Sequence, residues 1–124
     1  MSLFNNTSFK LLEQGLDATW YKQKVINQNI ASADTPDYKC KNVEFRAVLK
    51  EKCKYQQYHK EEQNEEVKLE VVTTTNNGTN HLFDGNNVNI DTEMMKLADT
   101  QIQYDTLAGK ISNEFAMLRT AIRR

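Results

Sequence analysis

Over its last third the chain carries a strict 4, 3 rhythm through Ile90, Met94, Leu97, Gln101, Tyr104, Ala108, Ile111, Phe115, Leu118 and Ile122. That spacing puts all ten residues on one line of an α-helix, a seam that must be covered by something. The same rhythm runs near the other end, through Phe9, Leu12, Leu16, Thr19, Gln23, Ile26 and Ile30. A chain with one long seam at each end is constrained to bring the two together. The only proline, Pro36, fixes where the first helix stops: proline has no N–H and pushes the preceding residue to extended geometry, so the helix ends near Ala31 to Ala33. Asp91 is the expected N-cap of the second helix, with Ile90 and Met95 in staple positions, and Arg119, Arg123 and Arg124 complement the negative end of its dipole.

The expected fold is mainly α, with two long terminal helices paired as an antiparallel coiled-coil hairpin around a small irregular or β-hairpin centre. The segments are 1–35 for the first helix, 36–90 for a variable centre and 91–124 for the second helix. In the centre, Val43, Phe45, Val48 and Leu49 suit a short strand or helical turn, and Lys50 to Lys68 is dense in charge and reads as a solvated arm or helix. Val67, Leu69 and Val71 alternate with polar residues up to Thr75, and Asn77-Gly78 is a type I′ turn signal, so a hairpin continuing into Thr79–Phe83 is expected.

A second apolar stripe lies beside each seam, Leu11, Ala18 and Val25 on the first helix and Met95, Ile102, Gly109 and Ala116 on the second. Such faces are wider than a two-stranded seam needs. An ordinary bundle closing on itself is one explanation of that width; the other is that each helical hairpin meets neighbouring subunits as well. Residues 25–33 hold no charge, and Asn27, Gln28 and Asn29 could hydrogen-bond a partner without the cost of burying an ion. With two broad faces on a small chain, the terminal helices are expected to fray until neighbours cover them.

Composition excludes more than it assigns. A mean hydropathy of -0.73 and 39% hydrophobic residues leave a small core, and a formal charge of -1 gives no field for nucleic acid or an anionic membrane. No apolar run is long enough to span a membrane, and residues 1–20 lack the pattern of a cleaved signal. Cys40 and Cys53 lack zinc-ligand spacing and read as free thiols, with a disulfide left open. His59 and His81 have no metal or acid–base frame around them, and Asp84-Gly85-Asn86 departs from a calcium loop and reads as a turn feeding a helix. No cofactor is expected.

Residues 29–38, Asn-Ile-Ala-Ser-Ala-Asp-Thr-Pro-Asp-Tyr, are similar to the N-I-A-N-A-D-T-P-G-Y motif of flagellar basal-body rod proteins, departing at Ser32 and Asp37. Asp84 to Asp91, followed by Glu93 and Met94, together with Tyr104 and the ending Met117-Leu118-Arg119-x-Ala121-Ile122, most resembles the proximal-rod type of that family. The two regions cover about half of the chain. Glycine at position 37 would permit a type II turn, whereas Asp37 is expected to favour type I geometry with negative φ.

The resemblance implies a structural subunit without catalysis, part of the hollow shaft that transmits torque from motor to hook. It implies helical assembly with other rod subunits, with the rod-base adaptor and the export gate as further partners. It also implies a location in the basal body within the cell envelope, reached by export in unfolded form without a cleaved signal. The residues expected at subunit interfaces are Phe9, Leu12, Leu16, Ile26, Asn29, Ile30, Asp34, Pro36, Tyr38, Leu97, Tyr104, Ile111, Phe115, Leu118 and Ile122. A cytoplasmic helical adaptor or export chaperone is the competing class, since it would share the amphipathic helices and the modest charge.

Overall fold

The computed structural model describes residues 7–50, 66–78 and 84–123. Four elements follow in order: α1 (Thr7–Ala31), β1 (Lys41–Lys50), β2 (Glu66–Thr75) and α2 (Ile90–Ile122). The helix before Pro36 ends within the expected window. α1 and α2 run antiparallel: Phe9 meets Phe115 edge to face at 5.3 Å, Gly15 lies against Leu107, and Gln23 donates to Gln101 at 2.7 Å. α1 is the middle layer. It packs on α2 on one side and on both strands on the other, while α2 reaches the hairpin only near its first turns, where Lys96 donates to Asn42.

All seven seam residues of α1 are half-buried or buried, as the spacing requires. On α2 the contact line is turned by about one residue. Glu93, Leu97, Thr100, Tyr104, Leu107, Ile111, Glu114 and Leu118 are buried or half-buried and keep the 4, 3 rhythm, while Met94, Gln101, Phe115 and Ile122 of the expected seam are exposed. The rotation has a physical cause: Glu93 and Thr100 have partners that bury them, Glu93 in the ion pair and amide contacts described below and Thr100 through its own hydroxyl on the Lys96 carbonyl. Polar side chains with buried partners pull the helix round against its hydropathy pattern.

Asn89, not Asp91, caps α2, its side chain accepting from the Thr92 N–H at 3.2 Å. Ile90 and Met95 are exposed and form no staple. Asp91 and Glu93 still place negative charge on the first turn.

The hairpin is β1 with β2, in an antiparallel register running from Lys41 opposite Thr75 to Lys50 opposite Glu66. β2 thus takes a partner from β1, whose alternating run Val43-Glu44-Phe45 supplies its own inward face, while the other half of the expected pairing, 79–83, falls outside the described residues. Gly78 N–H instead folds back onto the Asn76 side chain at 2.9 Å. Residues 79–83, and most of the charge-dense stretch after Lys50, lie outside the described residues; the flanks of that stretch are strand. Half-buried Val43, Phe45 and Leu69 face α1, with the Lys22 ammonium 5.7 Å above the Phe45 ring, while Glu44, Arg46 and Glu70 face out.

Candidate functional site

Six apolar and six polar residues are buried among the described residues, so the innermost part of this fold depends on satisfied hydrogen bonds as well as on apolar contact. The polar six are Thr19, Asn29, Asn86, Asn87, Glu93 and Thr100. Four of these sit where the 29–38 segment meets the 84–94 segment, the two stretches that carry the family resemblance.

Three asparagine amides there take the place of peptide groups. Asn29 lies on the last turn of α1; its Nδ2 donates to the Lys41 carbonyl at 2.8 Å, and its Oδ1 accepts the Lys41 N–H at 3.1 Å. It therefore pairs with the outer edge of β1 as a neighbouring strand would. Asn87 does the same at the end of the ladder: its Oδ1 accepts from Cys40 N–H and its Nδ2 donates to the Asn76 carbonyl, both at 2.7 Å. Asn86 is 0% exposed and gathers three carbonyls beyond the end of α1, those of Ser32, Ala33 and Thr35, at 2.8 to 3.0 Å. Its Oδ1 accepts Val88 N–H. An asparagine suits each place because one short side chain offers both donor and acceptor in amide geometry.

Glu93 completes the joint. Its carboxylate is 2% exposed and accepts from Lys96 at 2.6 Å, from Asn29 Nδ2 at 2.9 Å and from the Cys40 thiol at 3.6 Å. A buried carboxylate is tolerable only with such pairing. Tyr38 donates its hydroxyl to Asn29 Oδ1 at 3.1 Å. Burial, followed by the nearby Glu93 charge, pushes the Cys40 thiol above its usual range, and burial pushes the Tyr38 phenol up as well. Cys40 is a free, buried thiol rather than an activated nucleophile, despite its flanking lysines.

Asp37 overturns the type I expectation: its φ is 58°, in the left-handed region, so the chain keeps the conformation that glycine provides in the family motif. The geometry is held by Asp37 N–H donating to the Asp84 carbonyl at 3.0 Å and by Lys39 Nζ on the Gly85 carbonyl at 2.6 Å. Gly85, at φ 84°, has no room for a side chain because a Cβ would strike the Asp37 carboxylate. The Asp84 carboxylate accepts Asn86 N–H, so this turn does feed the joint as expected.

The predicted interface residues thus divide. Asn29 is spent inside the chain instead of meeting a partner, and Tyr38 joins it. Ile26 is buried; Phe9, Leu12, Leu16, Ile30, Leu97, Tyr104, Ile111 and Leu118 are half-buried between the helices. Asp34 and Pro36 are exposed on the turn, and Phe115 and Ile122 are 47% and 74% exposed. Sequence reasoning missed Asn86, Asn87 and Cys40 as structural residues; the run Asn86-Asn87 beside a motif was the available signal. Among the described residues no His, Cys, Asp and Glu cluster could hold a metal, and no helix is long and apolar enough to cross a membrane. His59, His81 and Cys53 lie outside the described residues.

A face of α2 turned away from α1 stays uncovered: Met95, Ile102 and Met117 are 60–74% exposed, and Met94 is 53% exposed. No family model matches the chain. It is similar over nearly its whole length to the flagellar basal body rod protein FlgB of Bacillus subtilis, 36% identical over 98% of this chain and 97% of that one. FlgB of Escherichia coli is 25% identical over 93% of this chain and 95% of its own, and FlgB of Borrelia hermsii 30% identical over 99% and 100%.

Proposed function

The chain belongs to the FlgB family of flagellar basal body rod proteins, structural subunits of the proximal rod, and from that premise we propose that its terminal helices carry the contacts that build the shaft. The joint of Asn29, Asn86, Asn87 and Glu93 sets the angle between the helices and the hairpin and does no chemistry; its titratable groups are spent on one another. The exposed face of α2, with Met95, Ile102 and Met117, meets neighbouring rod subunits. The rod-base adaptor and the export gate are further partners, and the site of action is the cell envelope, reached by export without a cleaved signal.

The observation that carries this reading is the row of apolar side chains on α2 that α1 leaves open. A charge there is expected to leave the subunit's own fold intact, since Ile102 is 66% exposed among the described residues. Ile102→Glu is therefore expected to keep native helicity by circular dichroism while losing incorporation into basal bodies and motility. Normal incorporation of a folded Ile102→Glu subunit would remove α2 from the interface.

A further inference from the structure

The hairpin has two edges, and its backbone polarity can be assigned from the side chains docked on it. Leu69 N–H donates to Gln14 Oε1 at 3.0 Å, and Lys41 donates its N–H to Asn29 Oδ1 and accepts from Asn29 Nδ2 at its carbonyl. Asn76 N–H, one step beyond the register, bonds across to Cys40. In an antiparallel pair the backbone groups of alternate residues point to the partner and away from it, so the odd positions of both strands turn theirs outward. α1 crosses the sheet diagonally, touching the β2 edge with Gln14 and the β1 edge with Asn29.

Among the described residues, Val71 and Thr73 turn their backbone groups outward with no side chain docked on them. They belong to the run Val71-Val72-Thr73-Thr74-Thr75, five β-branched residues with no charge and no proline. An edge of this kind is the sort that proteins ordinarily blunt with lysine, proline or a bulge. A groove opens beside it, lined by Asp17, Ala18 and Tyr21 of α1 and Leu69, Val71 and Thr73 of β2.

The geometry points to β-strand addition between copies: the outer edge of β1 of a second copy pairs with the outer edge of β2 through Val43 and Phe45 opposite Thr73 and Val71, between the positions that Asn29 and Gln14 occupy, extending one hairpin into a longer antiparallel sheet. Three observations select this occupant. β1 carries Lys41 and Arg46 against Glu44, whereas the receiving side presents Glu70 and Asp17 against Lys68. Moving a copy sideways by one hairpin, about 9.6 Å for two strands, keeps β1 antiparallel to the β2 it meets and sets adjacent α1 helices at the 8–10 Å packing distance typical of helices. Among the described residues the layer order leaves the sides open, because α2 stacks on α1 away from the sheet. The contact is head to tail, so it propagates from copy to copy.

The choice of a second copy rests on the rod reading, and the test separates the two. Glu44→Cys and Val72→Cys, both in a Cys53→Ser background, are expressed together and cross-linked in isolated basal bodies. These positions face away from α1 and sit opposite one another in the repeated register. A dimer that forms only when both variants are present is expected. Cross-linking of Val72→Cys to itself at comparable yield would overturn the proposal in favour of a two-fold β2 contact, and no dimer with both variants incorporated would overturn it outright. Failure of the unsubstituted chain to enter basal bodies would instead count against the rod reading. Thr73→Pro is the second arm: it removes an outward N–H and leaves the β1–β2 ladder intact, so assembly should drop about tenfold with unchanged circular dichroism. Unchanged assembly of Thr73→Pro would also overturn the proposal.

Discussion

Replacing Asn29 by leucine probes mainly hydrogen bonding, because leucine keeps the heavy-atom branching of asparagine and opens no cavity, its bulkier methyl groups adding some overpacking. Asn29 is 0% exposed and Glu93 2% exposed, so water does not replace what is lost. The Lys41 N–H and C=O each lose a partner, at about 1–3 kcal/mol for a stranded buried group, and Glu93 loses one charge-assisted bond of about 1.5–3 kcal/mol. Allowing for relaxation, the expected loss is about 4–6 kcal/mol, against a total stability of roughly 6–18 kcal/mol for a chain of this length. In urea the midpoint should fall by about 2–4 M at an m-value of roughly 1.5–2 kcal/mol/M. Glu93→Leu alone should be comparably damaging, yet the double variant should cost about 2 kcal/mol less than the sum, since removing both partners leaves no stranded charge. A loss below about 1 kcal/mol for Asn29→Leu, or strict additivity in the cycle, would refute the view that this amide is central to the joint.

Ile111→Asp places a charge in the line between the helices and should cost several kcal/mol and abolish motility; normal swimming would contradict the pairing. Gly85→Ala should destabilise by about 1–3 kcal/mol, and noticeably less in an Asp37→Gly background, because the obstructing group is the Asp37 carboxylate. The folded state holds the Cys40 proton to higher pH than the unfolded chain, so it binds more protons above the ordinary thiol value of 9.0. Stability should therefore decline as pH rises beyond that point and be indifferent to the thiol below it, with thermal melts of Cys40→Ser showing the shallower alkaline slope. Hydrogen exchange on the dilute subunit should find weak protection over 110–122, where Phe115, Met117 and Ile122 are uncovered; strong, uniform protection there in a proven monomer would contradict assembly-coupled ordering.

The helices were legible because a 3–4 rhythm is written in side-chain type and Pro36 marks an end. The rotation of α2 was not, because hydropathy assigns Glu93 and Thr100 to solvent; Glu93 is buried by partners far away in sequence, Asn29 and Cys40, and Thr100 follows on the same line with its hydroxyl satisfied by its own helix. Strand pairing was missed for a related reason. Asn77-Gly78 is a strong local turn signal, but Val43 to Phe45 offered a better face at a distance no local rule measures. Asp37 shows the opposite case: residue preference argued against positive φ, and the Asp84 carbonyl together with the room left by Gly85 imposes it.

The Asn29–Glu93 bond joins residues 64 apart in the chain, and the Asn86 bonds close loops of 51 to 54 residues. Contacts that distant form late, since the entropy of closing the loop is lost before any bond is gained. A chain delivered N-terminus first presents α1 and the hairpin well before residue 93 arrives. Until then Lys41 and the carbonyls beyond α1 remain hydrated and the early segments stay pliable. For such a chain the last third of the sequence acts as a timer, fixing the subunit's shape only once residue 93 of 124 has arrived.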